Sequence, residues 1–362
     1  MKNKKFLYET IYEEIKTQIL NKEIKQGSLL PSEKELSEKF HANRTTIRKA
    51  LLLLVDDNLV VKEPGIGTRV YIQLKDDSIR NNNPLLGTIA LVLPPSENKM
   101  DRISQPFYSE FFYFAEKELQ PLGYTLLYSS LDNKEHFESL IEHQKLDGII
   151  FMSNIPDQFI DIAKINNIPS ILVNNYSPNL VSILSDNVFG MGALTDYLIS
   201  LGHKSFILFT GLTNYLSTKE RLIGCTNSFL NNNIKNYEIE NIGWDPNQAY
   251  LKALEIFKRD KIPTAFICFN DNLAFGCLRA AREVGLNVPE DLSIVGYDNI
   301  NQSRYFSPPL TTVNSNIPTI SKLAVQNLTQ KIKNPDLFSQ YKIVVPFSLK
   351  IRESASAPNM TS

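Results

Sequence analysis

The sequence of 362 residues predicts an α/β protein with two unlike parts, a small winged helix-turn-helix domain followed by a larger domain of two Rossmann-like lobes. Three observations predict this architecture. Residues 31–72 have the pattern of two short helices, a turn and a β-hairpin. From residue 87 onward, apolar strands alternate with amphipathic helices. The polar stretch QLKDDSIRNNNP between the two parts is typical of an exposed linker, which we expect at residues 73–86.

The amino-terminal domain is predicted to contain three helices. Large apolar residues recur at helical spacing within Lys5–Asn21, which predicts the first helix. Ser32 stands three residues before Glu35, the spacing of a capping box, and therefore predicts the start of the second helix. Asn43 is a good N-cap for the third helix, which is expected from about Arg44 to Asp57.

The opening turns of the third helix carry cations and hydroxyls outside its apolar stripe. Arginine pairs bidentately with guanine, and threonine reaches phosphate oxygens or the thymine methyl group, so this helix suits the major groove of DNA. The β-rich segments Leu59–Glu63 and Thr68–Ile72 flank the sequence PGIG, which predicts a hairpin wing. The residues proposed for the groove are Arg44, Thr45, Thr46, Arg48 and Lys49.

The distribution of charge supports a DNA partner for this domain alone. The whole chain has a formal net charge of -1, but residues 1–72 hold 13 Lys or Arg against 10 Asp or Glu, a net charge of about +3. The remainder carries about -4. Because +3 is modest, we expect the DNA contacts to be concentrated on the third helix and the wing.

These residues resemble the GntR family of bacterial transcription factors, whose DNA-binding domain carries a pattern close to P-S-E-x-x-L-x-x-x-F-x-x-S-R-x-T-x-R-x-A-L and then a G-x-G-T wing. Asn43 replaces the usual Ser, and His41-Ala42 replaces the more usual Gly-Val. The resemblance implies additional DNA-binding roles for Ser32, Glu33, Gly65 and Gly67. The matching residues are Pro31, Ser32, Glu33, Leu36, Phe40, Arg44, Thr46, Arg48, Ala50, Leu51, Gly65, Gly67 and Thr68.

The larger domain shows two successive series of strands and helices. TIALVLP, YTLLYSS, DGIIFMS and PSILVNN form the first series, and SFILFTG, TAFICFN and LSIVGYD form the second, with a short segment near Asn241–Trp244 between them. Such alternation predicts parallel sheets covered by helices on both faces. Two lobes of this kind would hold a ligand between them, at the carboxyl ends of the strands.

Several motifs in this domain resemble the LacI/GalR family and its periplasmic-binding-protein type I fold. They are DGII, LGH, R-x-x-G, ND-x-x-A-x-G, VGYDN, PPLTTV and VP-x-x-L-x-x-R, in the family's order. A GntR-type domain fused to a LacI-type sensor is the arrangement of the arabinose-responsive repressor (AraR) group. The implied boundaries are 1–72 for the DNA-binding domain, 87–354 for the sensor (lobe one about 87–184 and 316–341, lobe two about 186–312 and 344–354) and 355–362 for a tail.

The resemblance also implies an effector site between the lobes. Sugar hydroxyls need a fixed arginine and a carboxylate or amide, and aromatic faces cover the C–H side of the ring. At Ser315 many relatives carry Gln, so contacts from that crossover differ here. The implied site residues are Arg221, Asn270 and Asp298 as polar anchors, Phe107, Tyr108 and Trp244 as aromatic walls, and Ser153 and Asn174 at strand ends.

Each polar candidate also has a purely structural interpretation. Arg221 could pair with a surface carboxylate, Asp298 could cap the loop after VGY, and Asn270 could stabilise a turn. Trp244 could belong to the core. Asp271 is predicted as the N-cap of the helix that follows it.

Other classes of protein fit less well. No apolar run reaches the roughly 18 to 20 residues that span a bilayer, and the chain begins with an amphipathic helix instead of a signal core, so we expect a cytosolic protein. Cys225, Cys268 and Cys277 are expected to be buried free thiols, and no Cys/His cluster predicts a metal. GntR-type domains also occur fused to aminotransferase-like domains, and the latter bind pyridoxal phosphate. No pattern for a Schiff-base lysine is visible in this sequence, so no cofactor is expected. A plain binding protein leaves residues 31–72 unexplained.

The sequence therefore predicts a sugar-responsive transcriptional repressor and not an enzyme. A homodimer is expected, because one DNA-binding domain covers only half of a palindromic operator. The resemblance implies arabinose as effector, with another pentose or a hexose as alternatives. A non-sugar ligand such as a nucleobase, or action as an activator, stays open.

Overall fold

The structure is a computed structural model that describes residues 7–21, 23–25, 27–57, 59–63, 67–70, 87–95, 101–131, 134–335 and 340–359. The chain divides into two compact units, Met1–Asn82 and Asn83–Ser362. The predicted linker at 73–86, Gly65 and the last residues of the tail lie outside the described residues. No helix within the described residues is long and apolar enough to cross a membrane.

The first unit is a winged helix-turn-helix. Its second helix begins with the predicted capping box, in which the Ser32 hydroxyl accepts from the Glu35 amide and the Glu35 carboxylate accepts from the Ser32 amide. The wing is an antiparallel pair in which Val60 lies opposite Val70. The elements are α1 (Leu7–Leu20), α2 (Glu33–Lys39), α3 (Arg44–Asp56), β1 (Val60–Glu63) and β2 (Gly67–Val70).

One apolar core holds this unit together. The helical spacing in α1 and α3 points their apolar stripes at each other, and the stripe residues are almost fully buried. At the edge of this core, Lys16 of α1 donates to Asp57 at the end of α3 over 2.7 Å. The hydrogen bond from Lys16 lowers the pKa of Asp57, so the carboxylate is charged near neutral pH and the pair connects the first helix to the third. The buried core residues are Ile11, Ile15, Ile19, Leu30, Leu36, Ala42, Ile47, Ala50, Leu51, Leu54, Val60 and Val70.

Lobe one of the second unit is a parallel sheet in the order β4-β3-β5-β6-β7-β13 with helices on both faces. The strands of its centre are buried along their whole length, which is why they appear in the sequence as continuous apolar runs. The strands are β3 (Gly87–Leu93), β4 (Tyr124–Ser130), β5 (Leu146–Met152), β6 (Ser170–Val173), β7 (Val181–Ser185) and β13 (Lys342–Val345), and the helices are α4 (Pro106–Leu119), α5 (Lys134–His143), α6 (Asp157–Ile165) and α11 (Ile317–Lys333).

Lobe two has the order β14-β12-β11-β10-β8-β9, in which β14 alone pairs antiparallel within the described residues. Helices α7 and α8 pack closely because Gly224 has no side chain: a Cβ there would lie 2.4 Å from the carbonyl oxygen of Val188. The strands are β8 (Ser205–Thr210), β9 (Asn236–Asn241), β10 (Ala265–Cys268), β11 (Ser293–Asp298), β12 (Thr311–Asn314) and β14 (Ser348–Lys350), and the helices are α7 (Asn187–Ser200), α8 (Leu216–Asn231), α9 (Pro246–Ile256) and α10 (Asp271–Glu283).

The two lobes exchange the chain at three places within the described residues, after β7, after β12 and after β13. The sequence placed the last crossing near residues 341–344, whereas in the structure it follows Val345. The carboxyl ends of β6 in lobe one and β11 in lobe two lie at the cleft, because Asn174 and Asp298 line the same pocket there. The predicted fold class, a winged helix-turn-helix domain with a two-lobed α/β domain, is confirmed.

Candidate functional site

The exposed face of α3 carries the charges that the sequence predicted for DNA. Arg44, Thr45, Arg48 and Lys49 are exposed, while the opposite face of the helix is buried in the core. The Arg48 side chain is 62% exposed and its Nε donates to Glu33 over 2.9 Å. An exposed ion pair of this kind contributes ~0–1 kcal/mol, so a phosphate or a base edge can compete for Arg48.

Besides the Arg48–Glu33 pair, two further side chains predicted to bind DNA have local partners. The Thr46 hydroxyl donates to the Asn43 side chain over 2.9 Å, and the Thr46 amide donates to the same oxygen over 2.8 Å. Ser32 is occupied by the capping box. Both residues therefore fix helix starts, and their DNA-binding roles stay predictions.

The turn before α3 and the wing depend on left-handed backbone. His41 has φ 47°, a conformation that glycine adopts more easily, which fits its place where the GntR pattern usually has Gly. Gly67, at the start of β2, has φ 141°. Gly65 lies outside the described residues.

The cleft between the lobes contains a pocket that residues of both lobes line. Of the predicted effector residues, seven line it and Ser153 lies beside it. The sequence missed Gln105, Tyr215 and Ser217, which stand in loops or first helical turns without a periodic signal. The lining residues are Gln105, Phe107, Tyr108, Asn174, Tyr215, Ser217, Arg221, Trp244, Asn270 and Asp298.

Arg221 of α8 is the most constrained polar group in the pocket. Its side chain is 4% exposed, and Nη2 donates to the Asp298 carboxylate over 3.1 Å. Nε donates to the Asn187 side chain over 2.9 Å, and Nη1 donates to the carbonyl oxygen of Phe269. The guanidinium also stacks 3.7 Å from the ring centroid of Tyr297. These contacts fix the guanidinium in one orientation, as recognition of paired hydroxyls requires.

Asp298 ends β11 and faces Arg221. Burial raises its pKa to about 6, while the charge of Arg221 lowers it. Asp271 lies behind it, with its carboxylate accepting from Thr312 and from the Ile300 amide. Burial, and then the charge of Asp298, raise the pKa of Asp271 well above its usual value.

The prediction that Asp271 is an N-cap was wrong. Asn270 is the cap of α10, and its Oδ1 accepts from the Leu273 amide over 2.8 Å. Asn270 also lines the pocket, so the turn role and the ligand role coexist in one side chain. Its Nδ2 is the atom that can donate to a ligand, because Oδ1 is the capping acceptor.

The aromatic wall of lobe two depends on a glycine. The Trp244 and Tyr215 rings meet edge to face with centroids 5.9 Å apart. A Cβ on Gly211 would lie 2.0 Å from the Trp244 ring, so only glycine leaves room for the indole. Trp244 is partly packed against the core and lines the pocket at the same time.

Ser153 supports the pocket from behind. The Tyr108 hydroxyl donates to the Ser153 hydroxyl over 3.1 Å, and the Asn174 side chain donates to the same oxygen over 3.3 Å. Ser153, Asn174 and Asp298 have positive φ angles of 63°, 57° and 107°. Such backbone is costly for residues other than glycine and concentrates at functional sites, where it directs side chains that end a strand.

Comparison with known proteins agrees with both halves of the chain. A family model for bacterial regulatory proteins of the gntR family matches residues 7–70, and a model for a periplasmic binding protein-like domain matches residues 195–355. The HTH-type transcriptional repressor PurR of Aliivibrio fischeri is 30% identical over 248 residues, 64% of this chain and 72% of that protein. PurR of Pasteurella multocida is 32% identical over 240 residues, 63% of this chain and 71% of that protein.

Solved structures show the same sensor fold. The transcriptional regulator LacI of Bacillus cereus subsp. cytotoxis has a TM-score of 0.68 and 27% identity, with 75% of this chain and 99% of that chain covered. A LacI family regulator of Enterococcus faecalis, solved with bound ribose, has a TM-score of 0.66 and 25% identity, with 75% and 99% covered.

The fold, the exposed cationic helix and the polar pocket between the lobes define a DNA-binding transcription regulator with a ligand-sensing domain. The chain belongs to the LacI-type family of transcriptional repressors and carries a GntR-type winged helix-turn-helix as its DNA-binding domain. Its relatives are transcription regulators and not enzymes. Membership of the AraR group stays a prediction.

Proposed function

We propose that this protein is a dimeric repressor of sugar-utilisation genes, acting in the cytosol and released from its operator by a small sugar, with arabinose or a related pentose as the first choice. The observation that carries this proposal is the buried Arg221–Asp298 pair, which lies among amide side chains and aromatic rings. The ribose bound to the similar Enterococcus faecalis regulator supports the ligand class.

The chemistry of the pocket suits a neutral polyol. Neighbouring sugar hydroxyls can donate to Asp298 and accept from Arg221, and the amides of Asn174 and Asn270 can each serve another hydroxyl. The ring of Trp244 can cover the C–H face of the sugar. Since Arg221 and Asp298 are held by each other, their donors and acceptors are oriented before the ligand arrives.

A nucleobase is the second candidate ligand. The pocket contains four aromatic rings, and a flat heterocycle could lie against one of them while its polar edge meets Arg221 and Asp298. The two ligand classes make opposite demands, because a base needs a flat slot and a sugar needs polar groups around its whole rim.

A thermal-shift screen tests the ligand class directly. L-arabinose, D-ribose, D-xylose, D-galactose, adenine and hypoxanthine would each be added to the full chain, and a ligand at 100 times its Kd stabilises by ~2.7 kcal/mol. We expect a pentose to raise the unfolding temperature, Arg221→Ala to abolish the rise, and the exposed Arg282→Ala to keep it. A rise with a base and none with any sugar would replace the sugar proposal by the nucleobase one.

The repressor role needs an operator assay. The sugar that binds should lower the affinity for operator DNA, whereas an activator would bind its site more tightly or recruit polymerase with the sugar present. A reporter gene under the chain's own operator distinguishes the two. Derepression by the sugar supports the proposal, and expression that depends on the protein contradicts it.

The dimer surface that we propose is an apolar groove beside the cleft, lined mainly by lobe two and also by Pro106 of lobe one. Tyr305 is 79% exposed there, beside the stacked rings of Phe275 and Phe306, whose centroids are 4.3 Å apart. An exposed patch of large aromatic side chains is typical of a protein–protein interface. A palindromic operator also needs two DNA-binding domains, which a second copy of this chain would supply. Tyr305→Asp should give a monomer in analytical ultracentrifugation, and an unchanged dimer would rule out this surface.

A further inference from the structure

Arg102 connects the two lobes across the rim of the effector pocket. It lies in the short turn between β3 and α4, yet it is only 2% exposed. Its Nε donates to the carbonyl oxygen of Pro95 in lobe one over 3.0 Å, and its Nη2 donates to the hydroxyl of Tyr215 in lobe two over 2.9 Å. The motifs that predicted the pocket did not include either residue.

Tyr215 is part of the pocket wall as well as the partner of Arg102. Its side chain lines the pocket and packs edge to face on Trp244. It also immediately precedes α8, the helix that carries Ser217 and Arg221. The hydrogen bond from Arg102 therefore reaches a side chain that is attached to both the aromatic and the polar wall of lobe two.

This bond can exist only while the lobes are close together. Arg102 moves with β3 and α4, and Tyr215 moves with α8, so any opening of the cleft separates Nη2 from the hydroxyl. A second contact crosses the cleft at Glu110, whose carboxylate accepts from the Asn301 amide over 2.9 Å. The acceptor of the Glu110 contact is on lobe one and its donor on lobe two, the reverse of the Arg102 contact.

We propose that Arg102 is a positioning residue that sets the balance between open and closed lobes by holding Tyr215 against the ligand, an inference that rests on the proposed role of the cleft as the effector site. Closing removes the guanidinium from water, and the Tyr215 hydroxyl supplies an acceptor for it. Because the bond forms when the lobes close on the effector, it contributes to the affinity for the effector.

Removing the acceptor alone gives the sharpest perturbation. Tyr215→Phe keeps the ring and its packing on Trp244 but leaves a buried donor of Arg102 without that acceptor. The loss of this hydrogen bond to a buried charged group in the closed form weakens binding of the effector by about 5- to 150-fold. Arg102→Met removes the charge and keeps an unbranched apolar stem, so the hydroxyl is no longer needed.

The experiment is a double-mutant cycle on the affinity for L-arabinose and D-ribose, measured by calorimetry in the full chain. We expect Tyr215→Phe to weaken binding by at least about fivefold in the wild-type background and by less than about twofold in the Arg102→Met background. Tyr113→Phe, at a half-exposed position on α4, is the matched control and should change nothing. An equal loss in both backgrounds would overturn the proposal, because the hydroxyl would then contact the sugar directly.

A second readout separates positioning from a general structural role. The unfolding temperature without sugar should stay within about 1 °C of wild type in Tyr215→Phe, since the sugar-free protein populates the open form, which lacks the bond, as well as the closed form, while the sugar-induced rise should shrink. A large loss of stability without sugar, with an unchanged sugar-induced rise, would mean that Arg102 only supports the fold.

The lobe distance tests the inference even if neither sugar binds, an outcome that would count against the proposed function alone. Spin labels at Lys164→Cys in lobe one and Lys258→Cys in lobe two would report the distance distribution, since both positions are exposed and the native cysteines are buried. We expect Tyr215→Phe to shift the distribution toward longer distances and the double variant to restore it. Identical distributions in wild type, Tyr215→Phe and the double variant would overturn the proposal.

Discussion

Acidification should weaken sugar binding through the carboxylate of Asp298. In the proposed site this group accepts hydrogen bonds from sugar hydroxyls, and its ionised form is the stronger acceptor. Burial raises its pKa to about 6 even though Arg221 lies 3.1 Å away. Its protonation therefore falls in a range in which binding can be measured.

The size of the effect follows from that value. Protonation of Asp298 competes with binding of the sugar. The affinity is therefore highest well above pH 6 and falls as the pH drops below 6. At pH 7.5 almost every molecule has Asp298 ionised, whereas at pH 5 only about one in eleven does, so the apparent affinity should fall about tenfold. Because the sugar favours the ionised form, binding near pH 6 should release up to about half a proton per site.

Calorimetry with L-arabinose in buffers of different ionisation heat measures both the affinity and the released proton. Asp298→Asn should bind weakly with little dependence on pH. Burial raises the pKa of Glu110 at the same cleft, and the charge of Glu110 in turn raises the pKa of Asp298, so Glu110→Gln should move the pH dependence to lower pH. The exposed Glu116→Gln on α4 is the control and should keep the pH dependence of the wild type. An affinity that is equal at pH 5 and pH 7.5 in the wild type would refute the reasoning about Asp298.

Two further predictions concern the recognition helix and the aromatic wall. Arg44→Ala and Arg48→Ala should each cost ~1–3 kcal/mol of operator binding if they read bases, and Lys49→Ala should weaken all DNA alike, in gel-shift titrations over several salt concentrations. Wild-type selectivity in both Arg variants would contradict the recognition-helix assignment. Gly211→Ala should displace the indole beside it, shift tryptophan emission and weaken the sugar at least tenfold, or about 1.4 kcal/mol. Gly192→Ala, whose new Cβ would meet its nearest atom at 3.5 Å, is the control, and equal emission in the two variants would show that the wall tolerates the clash.

Much of the site could be predicted because its residues stand where strands end. Asn174 and Asp298 follow apolar runs, and the carboxyl ends of parallel strands meet at one edge, so a linear pattern already places them together. Arg102 and Tyr215 carry no such signal. They are 113 residues apart, each lies outside the periodic segments, and only the approach of one lobe to the other brings them into contact.

The missed details of the fold have similar causes. β9 is an edge strand with the sequence NYEIEN and is largely exposed, so it lacks the apolar run that revealed its neighbours. The sequence showed only a short segment at the end of this strand. Asp271 was misassigned as a cap because Asn270 and Asp271 are both good cap residues. In the structure the Asp271 carboxylate accepts from the buried Thr312 hydroxyl, and Asn270 caps the helix.

The last prediction concerns how the sugar signal reaches the DNA. Sugar and operator affinities must be coupled reciprocally, typically by ~1–3 kcal/mol, so the sugar should lower operator affinity about 10- to 100-fold. The segment QLKDDSIRNNNP between the DNA-binding domain and the sensor is too polar and asparagine-rich to predict a packed helix. This segment lies outside the described residues, and the prediction rests on its composition.

The composition of this segment predicts a flexible linker of about a dozen residues, with a root-mean-square end-to-end distance of ~20 Å. Such a linker would blur small movements of its attachment point unless the DNA-binding domains also dock elsewhere. The spacing or orientation of the DNA-binding domains must therefore carry the signal, and a longer tether should weaken it. Lengthening the run at 81–83 with Gly and Ser should reduce the sugar response while leaving non-specific DNA binding unchanged. Operator titrations with and without saturating L-arabinose in both proteins test this, because equal responses would mean that tether length carries no part of the signal.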